Sequence, residues 1–590
     1  ERARRHAALG GWMADRRRGG DDEAIDPIAY HFGVAAELVS ELGRVDGVPS
    51  DLRARAVDAL EHAAERAEEV EAWPRVQRRY EQALAVLPED GSEATRSRLR
   101  LARAQARVEQ RDLAGARTEI DELLEAARVA GDRVAAARAL TVLADCEQKE
   151  GNLIGSDATY EQAVAEWRAI GDDHGVANAL RGRGMTLMFR SKLDDAEAEI
   201  QQALATFRGI PERRGEAWAL QNLAWIAFTR GRPEEAEERI NQSAAVFAEI
   251  GDWGGLSWAL GLLAWVRFNQ GQLAEAEQLA SDVLREGSES ADRWANGMMG
   301  VLLANVAMWT GRPTVAIERS REARSQFQEI RDQWGEVMSI APAARALGAL
   351  GRIDEAEALH DEVASFTDEL GDPSLVAIPA VVAGALASHI GDAERAQREY
   401  QTGLDAWDDE QSIGTQEQRV GMSRALLQGG NVQGALAQLD APRDDTDALL
   451  VTSGGVEAMV LAAAGQPERA VALTDRTNAV GIGSYLDHLE AWMARGLACA
   501  QLGDDECARE ACATALALAD GTESPLDQAL ARLAHSHALA ALDDPEAEAV
   551  AADARARLDA LGLRAAGWET AFHLAATGGR EVSPRDTEVA

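Results

Sequence analysis

Small residues return every 40 positions along this chain, nine times in succession. Ala64, Ala104, Ala144, Gly184, Ala224, Ala264, Ala304, Ala344 and Gly384 form one series. Twelve residues after each comes a second: Val76, Ala116, Ser156, Ala196, Ala236, Ala276, Ala316, Ala356 and Ala396. No side chain larger than Val occurs in either. Two helix backbones cross closely only where the side chains between them are short. A fixed repeat of such crossings predicts a stack of helix pairs, each burying its apolar face against its neighbours.

The residues between the two series mark the element boundaries. Gly151, Gly231, Gly271, Gly311, Gly351 and Gly391 follow the first small residue by seven, and acidic residues often come soon after, as in GRPEEAEE at 231–238. Gly as a helix stop followed by an acidic first turn is stop-and-restart chemistry. A Gly-Asp pair at Gly131, Gly171, Gly251 and Gly371 marks the turns between units, preceded by apolar anchors such as Trp167, Phe207, Phe247 and Phe327. Each unit therefore reads as helix A of about 16–18 residues, a tight turn, and helix B of similar length. No stretch shows the period-2 alternation of a strand. The fold class expected is all-α, an α-solenoid.

This pattern resembles the tetratricopeptide repeat, which places a small residue at position 8 of helix A, Gly or Ala at the turn, and Ala twelve residues on. Tyr80, Tyr160 and Tyr400 match its second-helix aromatic, and Pro88 its terminal proline. The period is the departure, about 40 residues here against about 34 in the family. Such longer units look like those in the C-terminal sensor regions of bacterial signalling ATPases. The resemblance implies a right-handed superhelix. After residue 410 the strict period fails, but Ser423 with Ala435, Ala458 with Ala470, and Gly496 with Ala508 keep the spacing of twelve. The count is about 13 units. The segment 441–447 reads as a longer loop, a kink or a hinge, and 578–590 as a mobile tail.

Residues 1–50 differ. The chain opens on Glu1 in a helical pattern, and a polar loop follows Trp12. Arg5, His6, Trp12 and the stretch from Ala29 to Leu38 are similar to the junction between ATPase and repeats in actinobacterial AAA/NB-ARC-type regulators, including those linked to adenylate cyclase or transcription-factor domains. The resemblance implies the C-terminal part of a larger signalling protein, with N-terminal effector domains of the same chain as partners. These helices also read as a cap on the solenoid. The expected organisation is therefore 1–50 linker or cap, 51–410 regular repeats, 411–577 irregular repeats and 578–590 tail.

A length of 590 residues exceeds one compact core but suits a fold that grows in one dimension. Apolar runs are far too short for a membrane span, and no secretory signal opens the chain, so a cytoplasmic location is expected. The formal charge of −40 opposes nucleic-acid binding, where phosphate neutralisation supplies the affinity. It reads as a solvated, repulsive surface or as an acidic groove for a basic partner. Cys499, Cys507 and Cys512 lie close together, but without a histidine they read as buried thiols, as does Cys146. His535 and His537 diverge on a helix. No catalytic residue, metal or cofactor is expected.

One constellation rises above this background: eight of the 14 Trp lie between 218 and 334. With Ala217 as the first residue of its unit, Trp218 and Trp225 hold positions 2 and 9, and Trp258 and Trp265 repeat them. Positions seven apart share a helix face. Met298 and Met338 extend the first row, and Met185 precedes the second. Met188, Phe228, Phe268 and Met308 follow the small residue by four, with Trp309 next. The tetratricopeptide resemblance implies that positions 2, 5, 9, 12 and 13 line the inner groove. These side chains then form a concave wall for a peptide, a protein segment or an apolar small ligand, with Arg181, Gln221, Asn222, Asn269, Asn305 and Arg345 at its polar edge. The competing reading packs them as core between successive A helices. The functional classes are a non-catalytic sensor module, a free-standing scaffold, or a fragment whose ATPase or cyclase domains lie upstream.

A phosphate-cradling loop needs Lys after Gly. Lys149 and Lys192, the only lysines, lie in CEQKEG and FRSKLDD. Residues 1–590 are therefore expected neither to bind nor to hydrolyse ATP. Stoichiometric, Mg-dependent binding in a calorimeter would contradict this.

Overall fold

The computed structural model describes residues 1–16, 24–69, 72–88, 92–287, 293–370, 377–406, 413–439, 447–479 and 483–579. Among these residues the chain forms 29 helices and no strand. They comprise an N-terminal hairpin, 13 helix pairs from Leu52 to Ala560 and a closing helix, Ala566–Thr577. The A helices Glu93–Glu109, Arg133–Lys149, Asp173–Phe189, Arg213–Thr229, Trp253–Asn269, Arg293–Trp309 and Gln333–Ala349 each start one full period after the last. The molecule is an all-α tetratricopeptide-like solenoid. Residues 441–446 and 580–590, which carry the hinge-or-loop and tail expectations, lie outside the described residues, as does the Gly371 turn.

Both small series lie at the A–B crossings. Every alanine in them, with Val76 and Ser156, is 0% exposed. Where the small residue is Ser, its hydroxyl closes the crossing: Ser156 Oγ donates to the Ala144 carbonyl at 2.9 Å, and Ser423 Oγ to that of Ala435 at 3.0 Å. A Cβ on Gly184 would lie 2.3 Å from Cγ1 of Ile200 on the facing helix. There is no room for growth.

The turns follow from local chemistry. Asp132, Asp172, Asp252 and Asp332 cap the next helix A, each accepting from the backbone N–H three residues on. The anchors Trp167, Phe207, Phe247 and Phe327 are buried against Gly175, Gly215, Gly255 and Gly335 at the start of the following helix. Ring and missing side chain fit together, which locks the angle between units.

Successive superhelical turns touch. Gly483 N–H donates to the Gly271 carbonyl at 3.0 Å and Glu523 N–H to that of Gly311 at 3.2 Å, both pairs joining segments far apart in the chain. Gly311 adopts a left-handed φ of 75°, and a Cβ there would lie 2.6 Å from Thr522. Glycine thus ends helix A and admits the next turn of the superhelix. Arg111 and Ser191 take the same register with φ of 61° and 58°. Arg111 pairs with Asp332, a further contact between turns of the superhelix.

Each end of the stack is covered. Arg2–Arg16 and Ile25–Leu42 form a hairpin whose Ala29, Phe32 and Ala36 share a core with Leu60 and Ala64. The closing helix buries Trp568, Ala571, Phe572, Ala575 and Ala576 across the A helices of the last units. Among the described residues, no helix is long and apolar enough to cross a membrane.

One expectation is corrected. Cys499 and Cys507 are joined in a disulfide, with Cα atoms 5.8 Å apart. Gly503 ends Tyr485–Leu502 and Asp505–Asp520 turns back on it, which brings the two sulfur atoms together. Cys146 and Cys512 are buried thiols, each pushed up to about 12 by burial.

Overpacking the crossing is the direct test. Ala224→Leu or Ala264→Leu should cost about 1–3 kcal/mol. Unchanged urea unfolding in both variants would refute the crossing geometry.

Candidate functional site

The A helices carry an unbroken path of aromatic contacts. Trp218 meets Phe247 edge-on at 5.2 Å and Trp258 at 6.2 Å. Trp258 stacks on Trp294 with centroids 5.0 Å apart and planes at 16°, and Trp294 stacks on Trp334 at 5.9 Å and 15°. Trp294 and Trp334 share a register, one period apart at the starts of their helices. The sequence reading passed over both, although the one-period step between them was visible. Phe189, at the end of Asp173–Phe189, closes the path by meeting Trp225 at 6.2 Å and Trp334 at 6.1 Å. Residues 189 and 334 lie nearly four units apart, so rings from well-separated units meet. A second patch joins Trp265, Phe268 and Trp309.

The predicted wall divides by burial. Trp218, Trp225, Phe228, Trp258, Trp265, Phe268, Trp309, Met185 and Met338 are half-buried. Met188, Met298 and Met308 are not: at 7%, 7% and 4% exposed they belong to the core between helices. Their positions turn toward the neighbouring A helix, where a flexible thioether fills space. Gln221 is 2% and Asn222 5% exposed, also inside the protein. Asn269 and Asn305 turn their amides back onto the carbonyls of Trp265 and Val301, each at 3.0 Å.

Comparison with known proteins bears on these units. A family model for the tetratricopeptide repeat matches residues 175–249, which hold Trp218, Gln221 and Trp225. Those hairpins are similar to tetratricopeptide repeats. No curated protein matches the chain. Among solved structures, the APC/C hetero-tetramer Cut9–Hcn1 is similar at 14% identity over 88% of this chain and 98% of that one, with a TM-score of 0.48. A Rap protein complexed with competence and sporulation factor gives 10% identity, 65% and 95% coverage, and a TM-score of 0.45. A signal-transduction ATPase with a tetratricopeptide repeat sensor from Pyrococcus horikoshii gives 17%, 55% and 56%, and 0.34.

On either side of the aromatic repeats, charged side chains are packed inward. Burial raises the Asp145 carboxyl, which accepts a hydrogen bond from the Tyr160 hydroxyl, and burial lowers Arg181 close by. Burial also raises Glu68, with Tyr80 donating to it at 3.0 Å. In the later repeats Arg345 pairs with Glu417, and Arg424 with Glu490 at 2.7 Å. Burial, then Arg424 and Arg345, push His389 down to about 3, so it stays neutral. Of this later group the sequence reading singled out Arg345 alone. Among the described residues, no three His, Cys, Asp or Glu side chains group as metal ligands.

Asp487 gives a pH test of this buried polarity. It is 5% exposed, and burial pushes it up to about 7, with Ser484 hydrogen bonds only partly opposing. A carboxyl raised in the fold favours the protonated folded state. Its contribution is therefore full near pH 4 and lost as pH rises to about 7. Asp487→Asn should remove that slope: about 1–3 kcal/mol more stable than the parent at pH 8, with little difference at pH 4. A constant difference between these pH values, read by urea unfolding, would contradict the buried-acid assignment.

Proposed function

We propose that this chain is a non-catalytic helical-repeat module that takes a peptide or protein segment along its aromatic A-helix face. One observation carries the reading. A continuous path of half-buried rings runs over A helices from Asp173 to Ala349, lying against cores whose fully buried residues join these repeats. Leu220, Leu223, Leu302 and Leu303 lie in those cores. Rings left half-exposed beside them offer rigid, large-area anchors at low entropic cost. The further proposal is that the module is the C-terminal sensor of a larger signalling ATPase. The residues of its N-terminal hairpin support that reading by their resemblance to such junctions. Occupancy of the repeats would then be passed to effector domains upstream.

Peptides selected from a random display library against the full chain test the groove. Trp225→Ala and Trp265→Ala should each weaken a selected peptide at least about tenfold, with only a modest loss of thermal stability. Selected peptides that bind both variants as tightly as the parent would remove the aromatic face from the site.

A further inference from the structure

The N-terminal ends of the A helices form one edge of the superhelix, and later units use that edge for contact. Asp332, Gly483 and Glu523 stand just before the A helices Gln333–Ala349, Tyr485–Leu502 and Pro525–Ala541. Each meets a turn from an earlier winding: Asp332 meets Arg111, Gly483 meets Gly271, and Glu523 meets Gly311. Asp332 shows how the chain makes such a contact. Its Oδ1 caps the helix by accepting from the Gly335 N–H at 2.7 Å, and its Oδ2 takes the Arg111 guanidinium. Asp332 is left 4% exposed. Arg111 also donates to the Lys149 carbonyl at 2.9 Å.

One winding earlier the same edge lies open. A Cβ placed on Gly131, Gly171 or Gly251 would meet nothing within 4 Å. Val129, Val134, Ile250 and Trp253 flank these glycines and are exposed. Between the turns 170–174 and 210–212 this edge holds a groove of about 520 Å³. Ile170, Ile210 and Pro211 give it apolar walls, and Asp172, Asp173 and Glu212 give it charge. We propose that this groove seats an arginine from a turn of a partner protein, held as Asp332 holds Arg111. The site does not depend on the aromatic face.

Asp172 repeats the arrangement of Asp332. Its Oδ1 caps the helix through the Gly175 N–H at 2.9 Å, while its Oδ2 has no cation among the described residues. Asp173 beside it is exposed and also lacks a basic partner among those residues. The arginines of the neighbouring turn are engaged elsewhere: Arg208 and Arg213 with Glu216, and Arg214 with Asp252 at 2.8 Å. His174 comes no nearer than 3.7 Å to the Glu212 carboxylate. A guanidinium brings several donors in one plane, and its aliphatic stem suits walls of Ile and Pro. A lysine offers the charge without the planar fork, and an apolar side chain leaves the carboxylates unanswered.

The experiment uses the full chain with isotope-labelled histidines in about 150 mM salt, where remote charges are screened. The probe is an acetylated, amidated Gly-Gly-Arg-Gly-Gly peptide, with citrulline in place of arginine as its neutral control. His174 lines the groove, so its ring signals in NMR report occupancy there, and His174→Gln assigns them. Asp172→Asn with Glu212→Gln removes charge while keeping an oxygen at both helix caps. Asn152, which caps Gly155 at 3.0 Å, shows that an amide serves. Asp173→Asn, which caps no helix, covers the case in which the double variant disturbs the fold. Asp504→Asn changes a helix cap elsewhere.

The arginine peptide should move the His174 signals saturably. Affinity should be at least about fivefold weaker for the citrulline peptide and in the double variant, and about twofold weaker in Asp173→Asn. Asp504→Asn should bind like the parent. Equal affinity for the two peptides would overturn the arginine assignment. So would His174 signals that stay still, or binding unchanged in both the double variant and Asp173→Asn. Light scattering that shows a dimer of the parent, lost in the double variant, would overturn it in favour of a second copy on this edge.

Discussion

Two helix backbones approach closely in every unit of this protein because nothing longer than a methyl, hydroxymethyl or isopropyl group stands between them. Ala144 against Ser156 and Gly184 against Ala196 show the tolerance: one hydroxyl fits when it bonds the facing carbonyl, and one added carbon on Gly184 would strike Ile200. Because each hairpin closes to the same distance, each presents the same outer profile to the next. The rotation from unit to unit is then nearly constant, and constant small rotations sum to a superhelix. The docked anchors, such as Phe247 on Gly255, set that rotation by fitting a ring into the space of a missing side chain.

Regular winding has a second effect. Backbone turns from distant units come within hydrogen-bond distance, as at Gly271 with Gly483 and Gly311 with Glu523. These contacts, the Arg111–Asp332 pair and the closing helix turn an open spiral into a structure whose turns support one another. The same winding brings Phe189 to Trp334. The aromatic face is therefore a product of superhelical pitch, and a small change in the angle between units would open or tighten it.

Burial divides labour among the large side chains. Leu220, Leu223, Met298 and Met308 are fully withdrawn and hold helix to helix. Trp294 touches both Trp225 and Trp334, and all three keep part of their surface in water. Charge is partitioned likewise. The acidic excess covers the outside, while inward-facing Arg345 and Arg424 are each held by a glutamate. His389 and Asp487 are held neutral or nearly so by burial, so their ionisation is tied to the packing around them.

Helix boundaries, turn positions, the buried crossings and the all-α class were legible in the sequence, because each depends on residues within one unit. A Gly seven residues past a small residue, or an Asp capping the next helix, acts through contacts no longer than a turn. The Trp rows at positions 2 and 9 were legible for the same reason. Their meaning was not. Met188, Met298 and Met308 share the repeat register of the half-exposed Phe228 and Trp258, yet they are buried, because burial depends on what the neighbouring unit presents. Nor could spacing along one helix show that Cys499 and Cys507 meet across a turn. The sequence by itself determined the hairpin and its repetition. Which units meet across the superhelix, and therefore the meeting of Phe189 with Trp334 and the backbone contacts between its turns, only the tertiary structure decided. The physical reason is that pitch is a sum of many small rotations, and no single unit records the sum.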